Sequence, residues 1–194
     1  MITGATLAAC THVPITAYPA LAAINFATTD LSSLRAAVEM PNSIQPTDEG
    51  VRLNLNLSVE GDLVEERSYV LQREQASDAT VPHPTPVAGR QIYVYRLSQT
   101  DQRGLEAVRA DVLDRKEDGQ RGSLSIGVAV EEMCEIERRD GETAANNLPV
   151  DVFLRTSETD RFVRTLDGFD LNELRAGDDP IIPSLPTCAV SMDT

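Results

Sequence analysis

Val51-Arg52-Leu53-Asn54-Leu55-Asn56-Leu57-Ser58-Val59 alternates apolar and polar residues without a break. Successive side chains of a β-strand point to opposite faces, so Val51, Leu53, Leu55, Leu57 and Val59 share one face and the polar residues take the other. This is the pattern of an antiparallel strand with one face on a core and the other in water. The Asn54, Asn56 and Ser58 side reads as a solvated sheet face, several times commoner than a recognition surface.

Working outward, Gly122-Ser123-Leu124-Ser125-Ile126-Gly127-Val128-Ala129-Val130 repeats the alternation, with Leu124, Ile126, Val128 and Val130 on one face. Cys134 has the same parity and points inward if the strand runs that far. Arg35 to Met40 reads as a strand stopped by Pro41, and Pro46 to Gly50 as a turn. Residues 63–72 follow the short Gly61-Asp62 turn and predict a hairpin with Val51 to Val59. Their Glu65, Glu66 and Arg67 suit an edge position, because charges blunt the unpaired row of backbone groups. Gln91 to Leu97 adds a strand in which Tyr93, Tyr95 and Leu97 face one way. Val150 to Thr156 and Phe162 to Leu166 form a hairpin about Thr159-Asp160.

One helix interrupts this series. Ser98-Gln99-Thr100-Asp101 offers a capping-box start, Leu105, Val108 and Val112 form one stripe, and Gly119 serves as C-cap. Asp111 and Arg115 are spaced for an exposed i,i+4 pair. Asp30 to Leu34 is expected to make a short helical turn. About seven short strands separated by turns predict a mainly β fold, an antiparallel β-sandwich with one inserted α-helix around 99–117. An immunoglobulin-like topology is one arrangement that fits. The alternative is an α+β sheet with one face covered by helix.

The 194 residues suffice for one domain of about 150 residues with a substantial core. No stretch of about 18 apolar residues predicts a transmembrane helix. Thirty-one acidic against 17 basic residues give a net charge of −14, which argues against nucleic acid and against anionic lipid surfaces as partners.

The search for chemistry is mostly negative. The two histidines are His12 and His83; both lie in proline-bearing segments that read as extended, so a histidine triad or metal site is not expected. Gly122 to Gly127 lacks nucleophile-elbow spacing. Asp114 to Gly119 lacks the alternating oxygens that calcium needs, and there is no phosphate loop or dinucleotide fingerprint. Glu131-Glu132 and Asp178-Asp179 are candidate acid/base carboxylates but read as solvated charges. The absence of tryptophan and the 4% aromatic content weaken a stacking platform for sugars or single strands. Catalytic, cofactor-binding and metal-binding residues are therefore expected to be none.

Leu7-Ala8-Ala9-Cys10 resembles a lipobox, the site at which bacterial lipoprotein precursors are cleaved and acylated. A full signal carries a basic region and an apolar stretch of about 7–15 residues. Met1 to Thr6 has neither, which leads to the expectation of an in-frame start upstream, a chance match being the alternative. Residues 11–28 contain Pro14 and Pro19 and read as an extended connector. The division expected is 1–10 signal remnant and lipobox, 11–28 connector, 29–176 β-sandwich domain, and 177–194 proline-rich tail. With Cys10 acylated, Cys134 and Cys188 remain as a pair for one disulfide, which would pin the tail to the sheet; two free buried thiols are the alternative.

In layout the chain is similar to the small uncharacterised lipoproteins of Gram-negative bacteria. That resemblance implies a periplasmic domain lipid-anchored at Cys10, at the outer rather than the inner membrane because Thr11 is not the aspartate of inner-membrane retention. It implies a non-catalytic binding or scaffold module for another envelope protein, with no cofactor. The alternatives are a periplasmic hydrolase using a carboxylate pair, which needs a pocket lined by at least two acids, and a soluble cytosolic interaction domain, which needs free thiols.

Overall fold

The computed structural model describes residues 14, 17–59, 62–75, 77, 81–83, 87–117, 122–136, 147–174 and 185–188. Within them the chain forms helix α1 (Tyr18–Ala22), strands β1 (Arg35–Pro41), β2 (Ile44–Pro46), β3 (Val51–Val59), β4 (Asp62–Val70), β5 (Gln72–Glu74) and β6 (Arg90–Arg96), helix α2 (Gln99–Glu117), then β7 (Gly122–Val130), β8 (Met133–Glu135), β9 (Pro149–Arg155) and β10 (Val163–Asp170). A 3-10 turn, Leu171–Leu174, follows. All named strand pairs are antiparallel. The fold is mainly β, as the alternation predicts.

The larger sheet has the order β10-β9-β1-β6-β5, the second β4-β3-β7, and β2 pairs with β8. This is not the immunoglobulin order, in which the first strand lies at an edge: here β1 sits in the middle of the larger sheet. Its inner face carries Ala36, Val38 and Met40, with Tyr95 and Leu154 flanking Ala36 and Tyr93 and Val152 flanking Val38. A small residue between two bulky ones lets the row pack against the facing sheet. Val51, Leu53 and Leu55 of β3 supply the other layer, and all these residues belong to one buried cluster. Leu57 is buried as well, whereas Arg52, Asn54, Asn56 and Ser58 are only partly covered.

On one side the layers are joined covalently. The end of β4 leads through buried Leu71 into β5, and the Leu71 N–H donates to the Val51 carbonyl at 2.9 Å. On the other side the edges are β7 and β10, with no strand between them among the described residues. The chain also passes from β7 through Glu131-Glu132 into β8, and the Glu131 N–H donates to the Gly50 carbonyl at 2.8 Å. A Cβ on Gly50 would lie 2.0 Å from the Glu132 carbonyl oxygen, so only glycine permits this crossing.

Helix α2 begins as its sequence requires. The Asp101 N–H donates to Ser98 Oγ at 3.0 Å and the Ser98 hydroxyl donates back to Asp101 Oδ2 at 2.6 Å. Leu105 and Val108 enter the core, with Val112 packed against it, and Arg115 pairs with Asp111 at 2.8 Å. Gly119 lies outside the described residues.

The expected extended connector over 11–28 is corrected in its second half. Tyr18–Ala22 is helical with Pro19 in the first turn, where the missing N–H costs nothing and the fixed φ suits a helix. Ala17 is buried and Ile24 and Phe26 pack against the core, so the folded unit begins before residue 29. Cys134 and Cys188 form a disulfide. The Cys188 N–H donates to the Glu135 carbonyl and the Glu135 N–H to the Pro186 carbonyl, both at 2.8 Å. Residues 185–188 are thus pinned to β8 as anticipated.

Candidate functional site

The outer face of the larger sheet holds a buried charge cluster. Glu39 in Ala36-Ala37-Val38-Glu39-Met40 and Asp151 in Val150-Asp151-Val152-Phe153 occupy the parity opposite to the core residues, and the β1–β9 register sets them directly across from each other. Glu39 is 2% exposed and Asp151 7%. Like charges so placed repel, and β6 supplies the counterion. Arg90 Nε lies 3.2 Å from Glu39 Oε1, and its Nη2 lies 2.5 Å from Asp151 Oδ2 and donates to the Glu39 carbonyl at 2.9 Å.

Two further elements close the cluster. The β10 strand carries bulges after Arg164 and after Leu166; within the second, Gly168 at φ 60° turns its N–H to donate to Asp151 Oδ1 at 2.7 Å. Arg164 Nε stands 3.9 Å from the same oxygen. From the proline-rich segment, His83 places Nε2 3.1 Å from Glu39 Oε2 and its ring edgewise to Phe153 at 6.4 Å. Burial pushes the Asp151 carboxyl above its ordinary 3.8, against the opposing pull of the Gly168 N–H, Arg90 and Arg164, with Glu39 adding to the rise. Both carboxylates are already committed to arginine.

A separate cavity of about 440 Å³ lies where the layers part, between β7 and β10. Its walls are Leu21, Ile24 and Phe26 from the N-terminal segment, Ile126 to Val128 from β7, Leu34, and Val152, Leu154 and Leu166 from the larger sheet. The polar contributors among the described residues are Thr29, Thr156 and Thr165, with no acid among them. The Thr29 hydroxyl, with one proton to give, lies 2.7 Å from Glu158 Oε1 and 2.9 Å from the Asn25 carbonyl, and that of Thr165 donates to the Val152 carbonyl at 3.1 Å. Thr156 Oγ1 is buried, on the Glu158 side of the wall. Glu158 lies below the usual carboxylate range: burial pushes it up, and the Thr29 hydroxyl and the neighbouring polar groups outweigh that.

The sheet edges differ from one another. β4 carries Glu65, Glu66 and Arg67 as expected for an edge, β10 is twice bulged, and β5 has three residues. β7 runs nine residues, GSLSIGVAV, in unbroken register with β3 and without a charge or a proline. Its Ser125 and Gly127 are exposed.

Of the residues singled out by sequence, Cys10, His12 and Asp178-Asp179 lie outside the described residues. Glu131 and Glu132 diverge, the first to Arg52 at 3.1 Å and the second accepting from Thr47 at 3.3 Å. His83, read as part of a plain extended loop, instead touches the buried cluster. Sequence reasoning missed Glu39 and Asp151 because it sought acids adjacent in the chain; the available signal was a lone acid inside each of two apolar strands. Comparisons with protein-family models, curated proteins and solved structures returned no match.

Proposed function

We propose that this chain is a non-catalytic binding module of the periplasm, lipid-anchored through Cys10, at the outer membrane rather than the inner, and that it pairs with another envelope protein along the outer edge of β7. The observation that carries the reading is the edge itself. Natural sheets guard long edges with charge, proline, bulges or brevity; β4, β10 and β5 each carry one of these devices and β7 carries none. An edge left in that state suits strand addition, in which main-chain hydrogen bonds supply affinity and alternate side chains supply specificity.

The Cys134–Cys188 disulfide supports an oxidising compartment over the cytosol. A hydrolase using a carboxylate pair is less favoured, because Glu39 and Asp151 are bridged by Arg90 and the described residues of the cavity wall include no acid.

Two measurements test the proposal. Acyl labelling of the full-length gene product with a Cys10→Ser control addresses the anchor; the absence of Cys10-dependent label removes it. A photo-crosslinker at Ser125 in native host cells is expected to give one dominant protein adduct, diminished by Gly127→Lys, whereas the same probe at Glu66 on β4 gives none. Equal adducts from both edges would defeat the β7 assignment.

A further inference from the structure

The cavity between β7 and β10 adjoins the β7 edge and poses its own question. At about 440 Å³ it exceeds the voids of a well-packed core, which are few and near the size of one water, and falls in the range of ligand sites. Apolar cavities far smaller than this stay dry and take up apolar guests.

Its wall limits what enters. Leu21, Ile24, Leu34, Ile126, Val128 and Leu166 are aliphatic, and Phe26 is the one aromatic ring among the described lining residues. A planar polycycle would therefore find little to stack on. The hydroxyls of Thr29 and Thr165 are already donated to protein oxygens, and Thr156 Oγ1 is buried behind the wall surface. The wall thus offers a guest dispersion contacts and area removal and almost no hydrogen bond, so a polar group carried inside would lose its water without replacement. The guest that fits is apolar along its whole inserted length, with its polar end left at the mouth.

We infer that the cavity binds one linear alkyl chain of a single-tailed lipid or fatty amphiphile, inserted between β7 and the N-terminal segment 21–29 with the head group outside. Each methylene buried in such a site contributes about 0.8 kcal/mol, equivalent to a roughly four-fold gain in affinity. The gain ends once the cavity is full.

The test uses the full chain carrying Cys10→Ser, so that no acyl group of its own competes, titrated calorimetrically with C8, C10, C12 and C14 alcohols and with dodecanoate. One-to-one binding is expected, rising several-fold per added carbon to a ceiling, with dodecanol and dodecanoate alike because the head stays in water. Val128→Trp and Leu166→Trp, which fill the cavity from opposite layers, are each expected to cut affinity at least ten-fold; a cooperative thermal transition shows that a variant is folded, and two positions guard against the loss of one. No saturable binding, affinity independent of chain length, unchanged affinity in a folded tryptophan variant, or equally tight binding of a planar probe such as pyrene would each overturn the inference. Because lipidation is removed and β7 pairing is not measured, failure here leaves the anchor and edge proposals to their own tests.

Discussion

Glu39 and Asp151 stand directly opposite each other on β1 and β9, two buried acids in the central strands of the larger sheet. Arg90 reaches both, and its removal would leave two carboxylates in low dielectric with weakened compensation. Arg90→Met is expected to destabilise by about 3–5 kcal/mol in urea unfolding. In a Glu39→Gln/Asp151→Asn background the same change is expected to cost far less, since no uncompensated charge is then stranded. Equal costs in both backgrounds would show that Arg90 acts through packing alone.

Asp151 also sets a pH dependence. Burial raises its folded pKa above 3.8, so the folded state holds this proton more tightly than the unfolded chain does. The stability it contributes is full below about 3.8 and is lost as pH rises through the folded value. The difference in stability between wild type and Asp151→Asn should therefore fall as pH is raised across that window. A difference that grows with pH would mean that the ion pairs with Arg90 and Arg164 outweigh burial.

The disulfide closes a span of 54 residues, for which the chain-entropy model gives about 4 kcal/mol. Cys188→Ser is expected to lower stability by about that amount in non-reducing buffer and by nothing further when reductant is added. Hydrogen exchange should show the Glu135 and Cys188 amides losing protection together, since each donates across the same short bridge.

The Ser98 cap serves α2 through the Asp101 N–H. Ser98→Ala should cost about 1 kcal/mol, read as a lower midpoint in thermal unfolding, whereas Ser98→Asp should restore most of it.

Much of this fold was legible because β-strand parity leaves a two-residue period that burial enforces. Val51, Leu53, Leu55 and Leu57 are buried as their alternation requires, β4 pairs with β3 at an edge, and Ser98 begins the helix. What was not legible depends on contacts remote in sequence. Nothing local in the sequence around Leu21, Ile24 and Phe26 reveals that they pack beside β7 and β10. The partnership of Glu39 with Asp151 exists only once β1 is known to lie beside β9, a pairing across more than a hundred residues. His83 misled for the same reason: flanking prolines speak to local backbone shape, and its attachment to Glu39 is tertiary. The cavity has no sequence signature, because it arises where two layers diverge.

The run from β4 through Leu71 into β5 makes the domain asymmetric in how it can breathe. Parting the layers on that side would require stretching a continuous backbone and breaking the Leu71–Val51 hydrogen bond, whereas on the β7 and β10 side the described residues that stand between the layers are side chains of segment 21–29. The sandwich is bound like a book, with its spine at Leu71 and its fore-edge at the cavity.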